Sequence, residues 1–292
     1  MDLIFYILFF LMILYAIMLI WFIIGNLIPV NINYSNSMPS ISIIVAIRNG
    51  EASLIKLIEN LRLQDFSGNM EFILIDDQST DLTAELIHTI TKKDDRFKYI
   101  SSKEGDSSLS HKKRALDAGI NFANNEWLLF TDVDCTIPIT WVRSMAKYFT
   151  KKTDYVIGYS EVLSNNNWIT RFQSLDFLML MIAARGTTNI GLPWACSGQN
   201  QAYKKSFFKI IGGFSKIANQ LQGDDSLFLQ IYIKNISKNV VFADDKECRV
   251  NSRQENNIIP FLKQRLRWSG DAKIMWKFNK IFFIFIIVSF LL

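Results

Sequence analysis

An α/β domain with a mostly parallel central sheet, preceded by a transmembrane helix and followed by an interfacial or transmembrane segment, is the fold class this sequence predicts. Three observations carry that expectation. Short, mostly apolar runs, ISIIVAI (41–47), FILI (72–75) and WLLF (127–130), read as strands buried on both faces. Between them apolar residues recur at helical spacing, as at Leu54, Leu57, Ile58 and Leu61, and again at Leu82, Leu86 and Ile90. Strands and helices alternating through short loops favour parallel strands joined by right-handed crossovers. Ahead of them, residues 3–24 are 22 consecutive apolar residues without a charge. At ~1.5 Å per residue that is enough to cross a bilayer core of ~30 Å.

The N-terminal run reads as a retained anchor. No basic residue precedes it, it is long for a cleaved leader, and no small-x-small site follows. The expected organisation is an anchor over 1–28, a linker over 29–40 containing Pro29 and Pro39, and the α/β domain over 41–256. An amphipathic helix over 257–280 and the start of a hydrophobic segment over 281–292 complete it. That last segment is 12 apolar residues, too short to span alone, so it is either interfacial or the beginning of a longer helix.

Within the domain, FKYIS (97–101) is a third, shorter strand, and a basic helix start, HKKRALDAG (111–119), leads into the strand at Trp127. Beyond Pro138 the pattern loosens. A strand is expected over 155–163 and a helix over 168–185, with Phe172, Leu175, Met179 and Ile182 as one apolar face. Met179 and Met181 read as packing residues. A Gly-, Asn- and Gln-rich segment follows at 197–208, then a helix beginning near QGDDSLFLQIYI. Pro260 is placed to open the last helix, which carries Lys263, Arg265, Arg267 and Lys273 among Ile, Leu and Trp, a composition that suits a membrane interface.

Composition narrows the function classes. The 292 residues are 50% hydrophobic with a net charge of +5, and no long run of one sign appears. Nucleic acid is therefore not implied; a membrane surface or an anionic small substrate suits the balance better. Cys135, Cys196 and Cys248 are odd in number, widely spaced and without CxxC, which supports neither a disulfide framework nor a zinc site.

Chemistry is carried by acids at the ends of elements. The strand at 127–130 runs into Asp132 and Asp134, separated by one residue. Two acids at the carboxyl end of a core strand are costly unless a cation neutralises them, and that edge of an α/β sheet is where ligands bind. They read either as holders of a divalent metal against a diphosphate or as solvated loop acids. Asp76 and Asp77 close the second strand, where Asp-Asp-x-Ser also serves as a turn and helix cap. Asp224 and Asp225 stand before a helix they are also able to cap, and Arg267-Trp268 suits a membrane anchor as well as a ligand contact.

In this order, SIIVAIRNG, ILIDDQSTD, HKKRALDAG, FTDVDCTIPITW, SGQNQAYKKSFFKIIGGF, GDDSLFL and QRLRW resemble the family 2 glycosyltransferases. The branch it resembles is the membrane-bound one that includes cellulose, chitin and hyaluronan synthases and ceramide glucosyltransferase. The resemblance covers about residues 40 to 276 and implies a GT-A-type nucleotide-sugar-binding domain. It further implies that Ala46, Arg48 and Asp76 or Asp77 surround the nucleotide base and ribose, with Lys112 directed at the nucleotide. Asp132 and Asp134 match the family's Asp-x-Asp, Asp134 as the direct ligand of Mg2+ or Mn2+ and Asp132 facing the ribose and the metal shell. Asp225 matches the catalytic carboxylate, the base in a single inverting displacement. Gln264, Arg267 and Trp268 match QxxRW, with Arg267 on the diphosphate and Trp268 stacked on the acceptor.

By that resemblance the partners are a nucleotide-sugar donor, a lipid or saccharide acceptor and the membrane, with no nucleic acid. The expected location is the cell membrane with the catalytic domain cytoplasmic, where nucleotide-sugars are made. Two departures stand out: Gly-Asp-Asp replaces the common Thr-Glu-Asp, and the C-terminal apolar segment ends after 12 residues where processive synthases continue into a helix bundle. A competing enzyme reading is a haloacid-dehalogenase-type phosphatase, since FTDVDCT also fits Asp-x-Asp-x-Thr with Asp132 as nucleophile. That motif normally closes the first strand of its domain, and here other strands precede it. A catalytically inactive membrane scaffold is the non-enzymatic alternative, and it predicts gaps in an acid set that is complete.

Overall fold

Strand β1 (Ile41–Ile47) is apolar at nearly every position and buried on both faces, and the sheet is assembled around it. The computed structural model describes residues 2–30, 38–236, 239–270 and 272–291, so the expected linker at 29–40 lies largely outside the described residues. From β1 the chain passes through α2 (Glu51–Arg62), β2 (Met70–Asp76), α3 (Thr83–Thr91) and β3 (Phe97–Ser101). It then crosses back through α4 (His111–Phe122) to β4 (Trp127–Phe130) on the other side of β1. The neighbours β3–β2–β1–β4 are all parallel.

Beyond α5 (Trp141–Ala146), β5 (Tyr155–Gly158) and β6 (Ser160–Val162) stand where one strand over 155–163 is expected. The break is at Tyr159, whose N–H donates to Ala243 O (3.2 Å) while its own carbonyl accepts from Val250 N (3.1 Å). β5 stays in the main sheet, and β6 pairs with β9 (Val250–Ser252) in a second, two-stranded sheet. After α6 (Trp168–Asn189) comes β7 (Gln201–Lys204), antiparallel to both β4 and β5, followed by α7 (Lys205–Ile210), α8 (Ser226–Asn235) and β8 (Val240–Ala243). Among the described residues the main sheet is thus seven strands in the order β3-β2-β1-β4-β7-β5-β8, with β7 alone reversed. Its two faces carry separate apolar cores, one on α4 and α8 and the other on α2, α3 and α5.

β7 gives little apolar signal because Gln201, at its start, is buried and satisfied at long range. Gln201 Nε2 donates to Asp224 O (3.2 Å), and its Oε1 accepts from the Tyr155 hydroxyl. Neighbouring Asn200 accepts from Trp141 Nε1 and donates to the Tyr159 and Cys248 carbonyls, each at 2.9 Å.

Helix α6 differs from its sequence reading. Ile169, Gln173, Phe177, Met181 and Ala184 face inward, while Phe172, Leu175 and Met179 are each more than half exposed. The helix has two apolar stripes, and periodicity does not say which one meets the sheet. Among the described residues the C-terminal region holds three helices where one helix and a segment are expected: α9 (Ile258–Ser269), α10 (Ala272–Phe278) and α11 (Lys280–Leu291). Pro260 is the third residue of α9, where its missing N–H has no helical partner to lose.

Helix α1 (Asp2–Leu27) contains a 25-residue stretch, Leu3–Leu27, long and apolar enough to cross a membrane. It packs on α6 and α11. Gly25 and Gly186 let α1 and α6 meet backbone to backbone: a Cβ on Gly25 would lie 2.0 Å from Gly186 O. The crossing is bonded by Asn26 Nδ2 to Ile182 O (2.8 Å) and by Arg185 to Asn26 O (2.8 Å), with Arg185 also paired to Asp244 (2.7 Å). Gly186→Leu is expected to force α1 and α6 apart at a cost of about 1–3 kcal/mol. Thermal unfolding in detergent should show a lower midpoint, and limited proteolysis should cut faster between α1 and β1.

Candidate active site

The chain leaves β1 in one direction, towards β2, and returns to its other side at β4, so the sheet has a switch point between the carboxyl ends of β1 and β4. A cleft of about 910 Å³ lies there. It is lined by Ala46 and Arg48 after β1, Asp77 after β2, Lys112 at the start of α4, Asp132 and Asp134 after β4, and Asp225 before α8. Gln264, Arg267 and Trp268 of α9 line it as well.

The loops after β1 and β2 are bonded into one wall. Asn49 N donates to Ser79 Oγ (2.9 Å), Gly50 N to Thr83 Oγ1 (2.8 Å), and Thr80 N to Asn49 Oδ1 (2.8 Å). Asn49 and Gln78 both take left-handed φ, of 51° and 55°. Gly50 is required by packing, since a Cβ there would lie 2.6 Å from an Ile47 methyl and 3.0 Å from one of Val133. This bonding divides the Asp76-Asp77 pair. Asp76 accepts from Ser79 N (3.2 Å) and does not line the cleft, whereas Asp77 does.

Lys112 ties the two acidic ends together. Its Nζ lies 2.7 Å from Asp132 Oδ1 and 3.2 Å from Asp224 Oδ2. Desolvation works against the ammonium, but the Asp132 and Asp224 charges outweigh it and hold Lys112 above the ordinary lysine range. Lys113, on the buried side of α4, donates to the Gln222 carbonyl (3.2 Å) and to that of Gln220, bracing the loop that leads into Asp224. Asp225 is the N-cap of α8 and accepts from Ser226 N, while Ser226 Oγ bonds Cys196 N (3.2 Å) and O (3.1 Å). The 195–199 loop is thereby held against the acids.

Asp134 is open to the cleft, yet the protein crowded around it desolvates the carboxyl. That desolvation, with the Asp132 charge next, raises it above the usual aspartate range, and Lys112 and Arg253 offset this only in part. Of the four arginines lining the cleft, Arg48, Arg253 and Arg267 make no ion pair within 4.0 Å among the described residues. The other, Arg265, pairs with Asp176 of α6 and lies 4.4 Å above the Trp268 ring. Arg253 is a cleft component absent from the sequence reading, because it lies outside every motif singled out there, while Asp224 and residues 197–199 stand in such motifs without an assigned ligand role.

A family comparison decides the class: residues 42–211 match the model of glycosyl transferase family 2, more than half of the chain. The chain belongs to glycosyltransferase family 2. Among relatives of this family-2 chain, the beta-monoglucosyldiacylglycerol synthase of Nostoc sp. is 24% identical over 183 residues, 62% of this chain and 39% of that protein. The chain spans about a third to a half of the length of the curated relatives it matches.

In structure it is similar to the mannosyltransferase PcManGT of Pyrobaculum calidifontis, solved with GDP-Man and Mn2+. The TM-score is 0.66 at 16% identity, covering 96% of this chain and 76% of that one. It is also similar to the glucosyl-3-phosphoglycerate synthase of Mycobacterium tuberculosis, solved with Mn2+, UDP-glucose and glycerol 3-phosphate. There the TM-score is 0.55 at 16% identity, covering 82% and 80%. The fold is therefore α/β and GT-A-like, with the cleft where such sheets place their ligands. The phosphatase reading of Asp132 loses its footing, because three strands precede β4 and Asp132 is ion-paired to Lys112.

Lys112→Met would leave Asp132 and Asp224 facing each other without their cation. The expected loss is about 1–3 kcal/mol, below that of a fully buried pair because part of Lys112 is exposed. Adding Asp224→Asn should recover part of it. A double-mutant cycle by urea unfolding measures this, and additive losses would contradict the bridging role.

Proposed function

We propose that this chain is a membrane-anchored, inverting glycosyltransferase that moves a sugar from a nucleotide-sugar, a UDP-sugar, to a hydroxyl of a lipid or saccharide. The observation that carries this is the convergence, on one switch-point cleft, of Asp132, Asp134 and Asp225 with the arginines Arg48, Arg253 and Arg267. Acids for a metal and a proton, and cations for a diphosphate, are what transfer from such a donor requires.

The residues fit a divalent cation. Asp132 and Asp134, one residue apart after β4, both line the cleft and offer carboxylate oxygens to it. No group of three or more potential ligands is present among the described residues, so donor phosphate oxygens and water would complete the shell. That pattern suits Mg2+ or Mn2+, hard ions that keep water and bind through one or two carboxylates. When bound, the ion stabilises the charge of the departing diphosphate.

The protein's own groups do the rest. Ala46, Arg48 and Asp77 hold the nucleoside, and Arg267 meets the diphosphate. Asp225, oriented by its bond to Ser226 N, accepts the proton of the acceptor hydroxyl. The hydroxyl oxygen bonds to the anomeric carbon as the bond to the diphosphate breaks on the opposite side. Gln264 and Trp268 position the acceptor.

Membrane association is supported by α1 and by the apolar residues of α6 and α9 that are half or more exposed, including Trp168, Phe172, Ile259 and Leu266. The domain is placed on the cytosolic side, where its donor is made. Membranes holding the full chain should release UDP from a UDP-sugar with Mn2+ or Mg2+ and stop when EDTA removes the metal. Asp134→Ala and Asp225→Asn should each lower release by about 10²-fold or more. Undiminished turnover by Asp225→Asn would remove the base from this scheme, and turnover indifferent to EDTA would remove the metal.

A further inference from the structure

The cleft has two chemically different ends. Around Asp132, Asp134 and Asp225 it is charged. At the other end it is lined by Phe177, Leu180 and Met181 of α6, Met275 of α10, and Phe282 and Ile286 of α11. None of these six carries a hydroxyl, amide or charge. Trp268 lines the cleft as well, its ring 6.2 Å from that of Phe177 and 4.4 Å from the Arg265 guanidinium. Resting on the reading of the charged end as a glycosyltransferase site, we propose that the apolar end holds the hydrocarbon chain of a lipid acceptor, with its hydroxyl-bearing head at Trp268 and Asp225.

The argument is one of matching surfaces. A saccharide acceptor presents hydroxyls on most edges, and an apolar wall would strip their water without replacing the hydrogen bonds. An alkyl or isoprenoid chain loses nothing polar there and removes apolar surface from water. Leu180 shows the need: it lines the cleft and is still 46% exposed.

Position supports the same occupant. α6 and α11, which supply five of the six residues, are the helices that pack on α1. The Trp21 ring lies 6.1 Å from that of Phe285, and the Phe22 ring 6.3 Å from that of Trp194. Phe282 packs in the same cluster as Phe22. The apolar end is therefore level with the last turns of the span-length helix, where a bilayer lipid would deliver its head to the cleft. The catalytic helix is bonded to this region too. Gln230 of α8 accepts from Asn279 Nδ2 and donates to the Pro193 and Trp194 carbonyls, each at 2.9 Å.

The test uses the full chain in vesicles of phosphatidylglycerol and phosphatidylethanolamine containing a diacylglycerol with a diazirine in one acyl chain. After irradiation, adducts mapped by peptide mass spectrometry are expected on 177–181 and 275–286. Leu180→Gln should lower their yield about tenfold, and Leu180→Met should keep it. Adducts confined to α1, or a yield that Leu180→Gln leaves unchanged, would overturn the proposal in favour of a saccharide acceptor. UDP binding by the unsubstituted chain, measured by calorimetry with Mn2+, is read separately. Its absence counts against the charged end, whereas binding without those adducts counts against the lipid chain alone.

Discussion

One ammonium set between two carboxylates holds the functional edge of this protein together. Asp132 comes from the end of β4 and Asp224 from the loop before α8, nearly a hundred residues on in the chain, and Lys112 at the start of α4 reaches both. Without that cation Asp132 and Asp224 would lose the one group that pairs with both of them. Asp134 stands beside this pair, raised first by desolvation and then by the charge of Asp132.

The same edge is connected mechanically to the helices beside α1. Lys113 braces the loop before Asp224, Ser226 fastens the 195–199 loop, and Gln230 joins α8 to Asn279 at the junction of α10 and α11. Through Gly25, Gly186, Asn26 and Arg185, α6 is bonded to α1 over its last turn. A cleft built this way has its geometry referred to the helix that is long enough to cross a bilayer.

Half of the sheet is legible from the residues alone, because it obeys local rules. β1 and β4 are almost wholly apolar runs, and their bounds in the structure are those of the runs, because a strand buried on both faces needs an apolar residue at nearly every position. The acids that terminate β2 and β4 are visible for the same reason, as sudden charge after a core strand. The rest depends on partners far along the chain, which local pattern does not reveal. β7 is a strand because Gln201 and Asn200 find buried partners at Tyr155, Asp224 and Trp141. Asp77 rather than Asp76 reaches the cleft because Ser79 claims the latter. Which stripe of α6 turns outward, and that Arg253 and the 197–199 loop join Asp132 and Asp134 at one cleft, follow from where the sheet places them. Periodicity records only that a face exists, and only packing says what it meets.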